Sequence, residues 1–253
     1  MTGGVSERGA RRAQRRRITL LDVIGELLLT VGVVVLLFLG WQLWFNNVVS
    51  SNEQKTVADE LSQEWATATP TAKPPQSSDP GAPAVTATPA ANTAFANLIV
   101  PRLGADFKRP IAEGVGTAVL NSTKLGMGHY TQTQLPGEPG NFALASHRSA
   151  YGGAFHNIHQ LIVGDSIFVE TADGWYKYIY RSMEYVPASG VGVILPVPQD
   201  AAASPTESII TLTTCNPFYS SAERIIAYGV FDSWYPRADG PPAEIATIAT
   251  VVS

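Results

Sequence analysis

The chain has 253 residues, 45% of them hydrophobic and only 15% charged. That length accommodates one medium domain with accessory segments. A single cysteine excludes an internal disulfide framework and a multi-thiolate metal site. The net charge of −4 hides an asymmetry. Residues 1–17 carry six Arg and one Glu, whereas residues 18–253 carry 11 basic and 20 acidic side chains. The acidic remainder argues against a nucleic-acid partner, and the basic tail points to a membrane surface.

In chain order, residues 1–19 read as a basic cytoplasmic tail and residues 20–49 as a transmembrane signal anchor. Leu27 to Phe45 is 19 residues without a charge, or ~28 Å of helix, close to the thickness of a bilayer's hydrocarbon core. Arg11, Arg12, Arg15, Arg16 and Arg17 precede it and Trp41 and Trp44 close it. That polarity predicts a cytoplasmic N-terminus and an extracellular remainder. The bulky end, Leu43-Trp44-Phe45, lacks the small residues of a cleavage site, so the anchor is expected to stay uncleaved. Residues 50–94 read as a stalk helix and an extracellular linker. Val57, Leu61 and Trp65 form its helical stripe. From Ala66 to Ala94 the chain is rich in Ala, Thr, Pro and Ser, a composition that spaces domains and builds no core.

Residues 95–236 read as the folded domain. Runs rich in β-branched and aromatic residues predict strands over Leu98–Leu103, Phe142–Ser146, Ser166–Thr171, Trp175–Val186, Val191–Leu195, Ser208–Thr213 and Arg224–Phe231. One helical piece is expected at Ala154–Leu161. The spacing predicts an antiparallel sandwich or barrel. Residues 237–253 read as a flexible tail, Pro-rich and then mildly apolar, too short for a second span.

The chemistry centres on Cys215. It ends the β-forming run Ile209–Thr214, and Pro217 stops the ladder two residues later. Arg224 opens the next apolar run, nine residues on, so a turn returns it to the thiol. A cysteine nucleophile also needs a base and proton donor. Of the four histidines, His147 holds the matching place after the apolar run Asn141–Ser146, and His129 in Met127-Gly128-His129-Tyr130 is second. His156 and His159 lie three apart, without a third ligand nearby, and read as exposed or capping residues.

These residues carry a resemblance. Thr211-Leu212-Thr213-Thr214-Cys215 with Arg224 nine residues later resembles the catalytic signature of sortases, and Gly140-Asn141-Phe142-Ala143-Leu144-Ala145-Ser146-His147-Arg148 resembles their histidine segment. Gly128-His129-Tyr130, Leu135–Asn141 and Leu161–Asp165 match as well, so the likeness covers Leu98–Phe231. It is greatest to class E sortases of high-GC Gram-positive bacteria. Ser146 departs from the pattern, where glycine often precedes the histidine.

The resemblance implies an all-β, closed eight-stranded barrel with one or two short helices. It implies a membrane-anchored cysteine transpeptidase in which Cys215 attacks the Thr carbonyl of an LPxTG or LAxTG sorting signal. Arg224 would stabilise the oxyanion, and His147 would serve the leaving and entering amines. Thr213, Thr214, Asn216, His129 and Tyr130, which flank these motifs, are the candidates for contacts with substrate. The implied partners are secreted proteins bearing sorting signals, the amine of a peptidoglycan precursor, and the bilayer. No cofactor or metal is implied. Two alternatives stay open at this point, a pilin-polymerising sortase that uses a Lys amine and a non-catalytic extracellular β-barrel. A sorted substrate is a poor fit, because the chain ends Ala-Thr-Val-Val-Ser.

Overall fold

The computed structural model describes residues 19–68, 83–84 and 87–249. The arginine cluster, the side chains of Leu43 and Trp44, and most of the low-complexity segment lie outside the described residues. The chain forms two units, Met1–Leu43 and Trp44–Ser253.

The first helix, α1 (Leu20–Thr67), is continuous across the expected boundary at residue 49. Thr19 and Asp22 start it by reciprocal hydrogen bonds: the Thr19 N–H donates to Asp22 Oδ2 at 2.9 Å, and the Asp22 N–H donates to Thr19 Oγ1 at 3.2 Å. Such pairing satisfies donors that a helix start otherwise leaves unpaired. The apolar part presents Leu27–Leu29 and Val33–Leu39 at its surface, and α1 is long and apolar enough to cross a membrane.

Eight strands follow in the second unit: β1 (Ala94–Ile99), β2 (Lys108–Glu113), β3 (Met127–His129), β4 (Gly140–Ser146), β5 (Ser166–Glu170), β6 (Gly174–Pro187), β7 (Ser208–Asn216) and β8 (Glu223–Pro236). They close in the order β1-β2-β3-β4-β7-β8-β6-β5. The pairs β2·β3 and β4·β7 are parallel, and the others are antiparallel. The expected eight-stranded barrel is therefore the observed one.

Alternation sorts each strand's side chains. Phe142 and Leu144 of β4, Ile210 and Leu212 of β7, and Ile225 and Ala227 of β8 fill the interior with Leu98, Ile111, Tyr176 and Tyr178. The opposite parity faces outward. There Ile226 and Tyr228 pack with Val186, Val193 and Ile194 of the β6–β7 connection. That connection is a 3-10 turn at Val191–Ile194, not the expected strand. Asn141 pins it to the wall: its Nδ2 donates to the carbonyls of Val193 and Leu195, each at 3.0 Å, and its Oδ1 accepts from Thr211 Oγ1 at 2.6 Å.

Three further expectations are corrected. The helix expected at Ala154–Leu161 reduces to turns and a 3-10 segment at Ile158–Gln160, since Gly152 and Gly153 adopt positive φ just before it. The tail is docked over 237–249: Arg237 ion-pairs with Glu170 at 3.1 Å, and Ile245 is buried among Ile99, Phe168 and Trp175. The stalk part of α1 is docked too, on a different stripe from the expected one. Ser50, Gln54, Ala58 and Ser62, four apart, are buried, whereas Val57, Leu61 and Trp65 are half-buried. Short and polar side chains let the helix lie close enough for hydrogen bonding. Asn97 Nδ2 donates to the Ala58 carbonyl at 2.9 Å and to Ser62 Oγ at 3.1 Å, and Ser62 Oγ donates to Glu170 Oε2 at 2.6 Å. Lys108, fully buried, sits 3.2 Å from Asp59 and 3.9 Å from Glu170.

Candidate active site

Strand pairing builds the site. Cys215 lies directly opposite Arg224 in the antiparallel pair β7·β8. Residues so opposed share one face of a sheet, with Cβ atoms ~5 Å apart. In the parallel pair β4·β7, Ala145 is level with Thr213. His147 follows β4 directly, two residues beyond Ala145. Cys215 and Arg224 have outward parity, with Thr211, Thr213, Ile226 and Tyr228, so the thiol lies on the outer wall at the strand ends. The barrel interior is a packed core and offers no such space.

Cys215 is free and half-buried. The residues before it are clamped to β4. Thr213 Oγ1 donates to the Leu144 carbonyl at 3.0 Å and Thr214 Oγ1 to the Ser146 carbonyl at 2.8 Å. These hydroxyls are buried and satisfy backbone acceptors, which fixes the thiol's approach. Tyr130 is half-buried, and its hydroxyl lies 3.2 Å from Thr213 Oγ1. Arg224 Nη1 donates to the carbonyls of Ser221 at 3.0 Å and Glu223 at 2.9 Å. Both are bonds to its own turn, and they hold the guanidinium over the strand start.

His147 follows β4 immediately. Its Nε2 pairs with Asn121 Oδ1 at 2.9 Å, and its ring lies 5.3 Å, centroid to centroid, from that of Tyr151. Burial holds its imidazole below the ordinary value of 6.5, since desolvation disfavours the charged form.

His129 lies elsewhere. It is the last residue of β3, paired across from Leu144, and therefore has inward parity. Its Nδ1 is 2.7 Å from Glu113 Oε2, its Nε2 is 3.1 Å from the Gln134 carbonyl, and Phe142 and Phe95 flank the ring. The expected loop at a cleft rim is a buried strand end with both ring nitrogens engaged. One step of the pleat separates it from Tyr130, just as it separates Leu144 from Ala145. His156 and His159 are exposed and pack on Phe218. No cluster of ligands suited to a metal occurs among the described residues.

Sequence reasoning missed a second set of residues. Arg148 is buried, its guanidinium 3.9 Å from the Phe218 ring centroid, and it hydrogen-bonds Asn216 Oδ1. Asn216 in turn donates to Glu223 Oε2 at 3.0 Å. Residues next to the thiol, the histidine and the arginine are thereby linked in one network. Asn216, expected at substrate, is tied into this network. Asn121 and Arg148 carried no spacing signal. The one hint was Arg148 itself, a long cation directly after an apolar strand.

The family model described as "Sortase domain" matches residues 98–232. The chain is 35% identical over 244 residues to sortase SrtE1 of Streptomyces coelicolor, a match covering 92% of this chain and 64% of that protein's length. The SrtA sortase from Actinomyces oris shares 38% identity at a TM-score of 0.63, covering 68% of this chain and 97% of that one. A crystal structure of sortase E1 from Streptomyces coelicolor with a tripeptide in the active site shares 36% identity at a TM-score of 0.56, covering 62% and 99%. With its barrel matched from β1 into β8, the chain belongs to the sortase family.

Proposed function

We propose that this chain is a cysteine transpeptidase, anchored by the apolar part of α1, with its barrel outside the cell. The observation that supports it is the register that sets Cys215 opposite Arg224, with His147 directly after β4, the strand that pairs with β7. A peptide lying there meets a nucleophile, a cation and a proton donor together.

The chemistry follows from those groups. Cys215 Sγ, as thiolate, adds to the carbonyl carbon of Thr in an LPxTG- or LAxTG-type signal. Negative charge moves to the carbonyl oxygen, where Arg224 and nearby backbone N–H groups stabilise it. The C–N bond to Gly then breaks, and His147 gives its proton to the departing amine. A thioester remains. An incoming amine, from a peptidoglycan precursor, adds to that carbonyl, gives a proton to His147 and displaces the thiolate. The tripeptide in the active site of sortase E1 supports a peptide substrate.

The experiment gives the enzyme a sorting-motif peptide and titrates a Gly-type or diaminopimelate-type amine, with products read by mass spectrometry. Product should pass from free acid to amide as amine rises. Free acid alone at every amine concentration, with membrane-embedded enzyme as well, would leave a cysteine protease.

A further inference from the structure

The docked part of α1 touches the loops on both sides of His147. Asn47 Nδ2 donates to the Ser149 carbonyl at 3.1 Å, and the Gly152 N–H donates to Asn47 Oδ1 at 3.3 Å. Gln54, fully buried, donates from Nε2 to the Tyr151 carbonyl at 2.8 Å and to the Ser122 carbonyl at 3.5 Å. Thr123 Oγ1 donates to Glu53 Oε2. One loop, 149–153, carries Tyr151 against the His147 ring. The other, 121–123, carries Asn121, the partner of His147 Nε2.

The loop after His147 needs such support. Tyr151, Gly152 and Gly153 have φ of 49°, 86° and 50° in succession. The left-handed region disfavours a side chain such as Tyr151's, and such conformations persist where surroundings impose them. The Gly153 N–H reaches the Ala150 carbonyl at 2.9 Å, the His156 N–H reaches the Gly153 carbonyl at 2.8 Å, and the Tyr219 N–H reaches Ser149 Oγ at 3.3 Å. The carbonyls of Ser149 and Tyr151 and the N–H of Gly152 are met by the helix.

The space around Gln54 is equally specific. A Cβ on Gly126 would lie 2.1 Å from Gln54 Nε2, and one on Gly152 would lie 2.9 Å from Gln54 Oε1. Two glycines, both at positive φ, therefore open the slot that this side chain fills. The Gly126 carbonyl also accepts from Ser146 Oγ at 2.7 Å, tying the slot to the residue before His147.

We propose that the docked segment of α1 is a positioning element of the active site, with Gln54 and Asn47 holding the loops that orient His147. The proposal rests on the assignment of His147 as the catalytic histidine. It makes the docked segment of α1 part of the catalytic geometry, since that segment hydrogen-bonds the loop after the histidine. Neither residue touches substrate. Each acts through His147 by way of Tyr151 and Asn121.

The test uses full-length protein in detergent or nanodiscs. Gln54→Ala and Asn47→Ala should lower kcat by about ten- to a hundredfold, the scale of a small misplacement of a catalytic group. KM should stay within about twofold, and amide exchange should quicken over 149–153. Gln54→Glu keeps the shape and loses the donors to Tyr151 and Ser122, so it should reproduce the kcat loss even if Gln54→Ala folds poorly. Ser62→Ala, farther along the same helix, should lower the melting temperature and leave kcat unchanged. Wild-type kcat and wild-type exchange in the Gln54 and Asn47 variants would overturn the proposal. So would a kcat loss in Ser62→Ala equal to theirs, which would mark general destabilisation. Full activity in His147→Ala would overturn the histidine assignment first, and the proposal with it.

Discussion

The choice between two histidines turns on one step of strand alternation. His147 lies just past the end of β4 and meets Asn121, whereas His129 pairs across from inward-facing Leu144 and meets Glu113. Replacement of Cys215 by Ala should abolish cleavage of a sorting peptide. His147→Ala and Arg224→Ala should each lower kcat by about 10²–10³ or more, the scale for loss of one transition-state donor. His129→Ala should instead act on stability, by about 1–3 kcal/mol, because it leaves the buried Glu113 without its partner. Loss of catalysis in a folded His129→Ala protein, with His147→Ala active, would reverse the assignment. The titration of His147 carries a sign as well. Its folded-state pKa is depressed by burial, so the unfolded chain binds the proton at higher pH. Its contribution to stability is intact above about 6.5 and declines as pH falls through the window below that value. An assigned imidazole resonance should titrate below 6.5, the ordinary value. A midpoint above it would mean that a charged partner outweighs burial.

At the scale of elements, much was legible where strands are long and their alternation clean, as in β4, β7 and β8. The thiol, histidine and arginine were legible for the same reason, since each sits at a strand end with a turn signal beside it. β2 was missed because Lys108-Arg109-Pro110 reads as a charged turn, and only tertiary partners explain a fully buried lysine there. β3 has three residues, too few for any period. Val191–Leu195 has strand composition, yet Asn141 holds its carbonyls to the outer wall in a turn. The docked stripe of α1 was invisible because it is polar, and apolar periodicity pointed to its neighbour. The charge cluster that docks it makes a graded prediction. Glu170 is fully buried and receives Lys108, Arg237, Ser62 and Asn97. Glu170→Ala removes a shared carboxylate from two cations, leaving Lys108 with Asp59 and Arg237 with the carbonyls of Thr171 and Ala172, and should cost about 3–5 kcal/mol. Lys108→Met should cost less, because Glu170 keeps its other three partners and Asp59 keeps Lys55 at 3.0 Å. Urea unfolding of the two variants gives the order, and equal or inverted costs would remove Glu170 as the hub.

For the whole molecule, the docked helix bears on how the barrel would be held. α1 ends at Thr67, and the carbonyl of Ala84 accepts from Tyr176 Oη at 2.6 Å. On the proposed function, the hydrogen bonds of the docked helix, and not only the covalent chain through residues 69–82, would hold the barrel to α1. A specific protease site placed there and cut on wall-stripped cells should leave the barrel membrane-bound until urea is added. Release on cutting alone, followed by fractionation and immunoblotting, would show that the helix contacts do not suffice, and protection from added protease would reject the extracellular orientation.

The closed ring of strands has a consequence for recognition. Peptide-binding proteins often gain affinity by adding the ligand as a further strand along an exposed sheet edge, an interaction blind to side chains. Here the wall is continuous, and beside the short β3 the free edge of β4 is already occupied. Thr133 Oγ1 accepts from the Ala143 N–H at 3.2 Å and Gln134 Oε1 accepts from the Asn141 N–H at 2.8 Å. On the proposed function, a sorting peptide would be read across the pleat, by outward side chains and loops. Such reading would supply little generic main-chain affinity and would leave most extended polypeptide unbound.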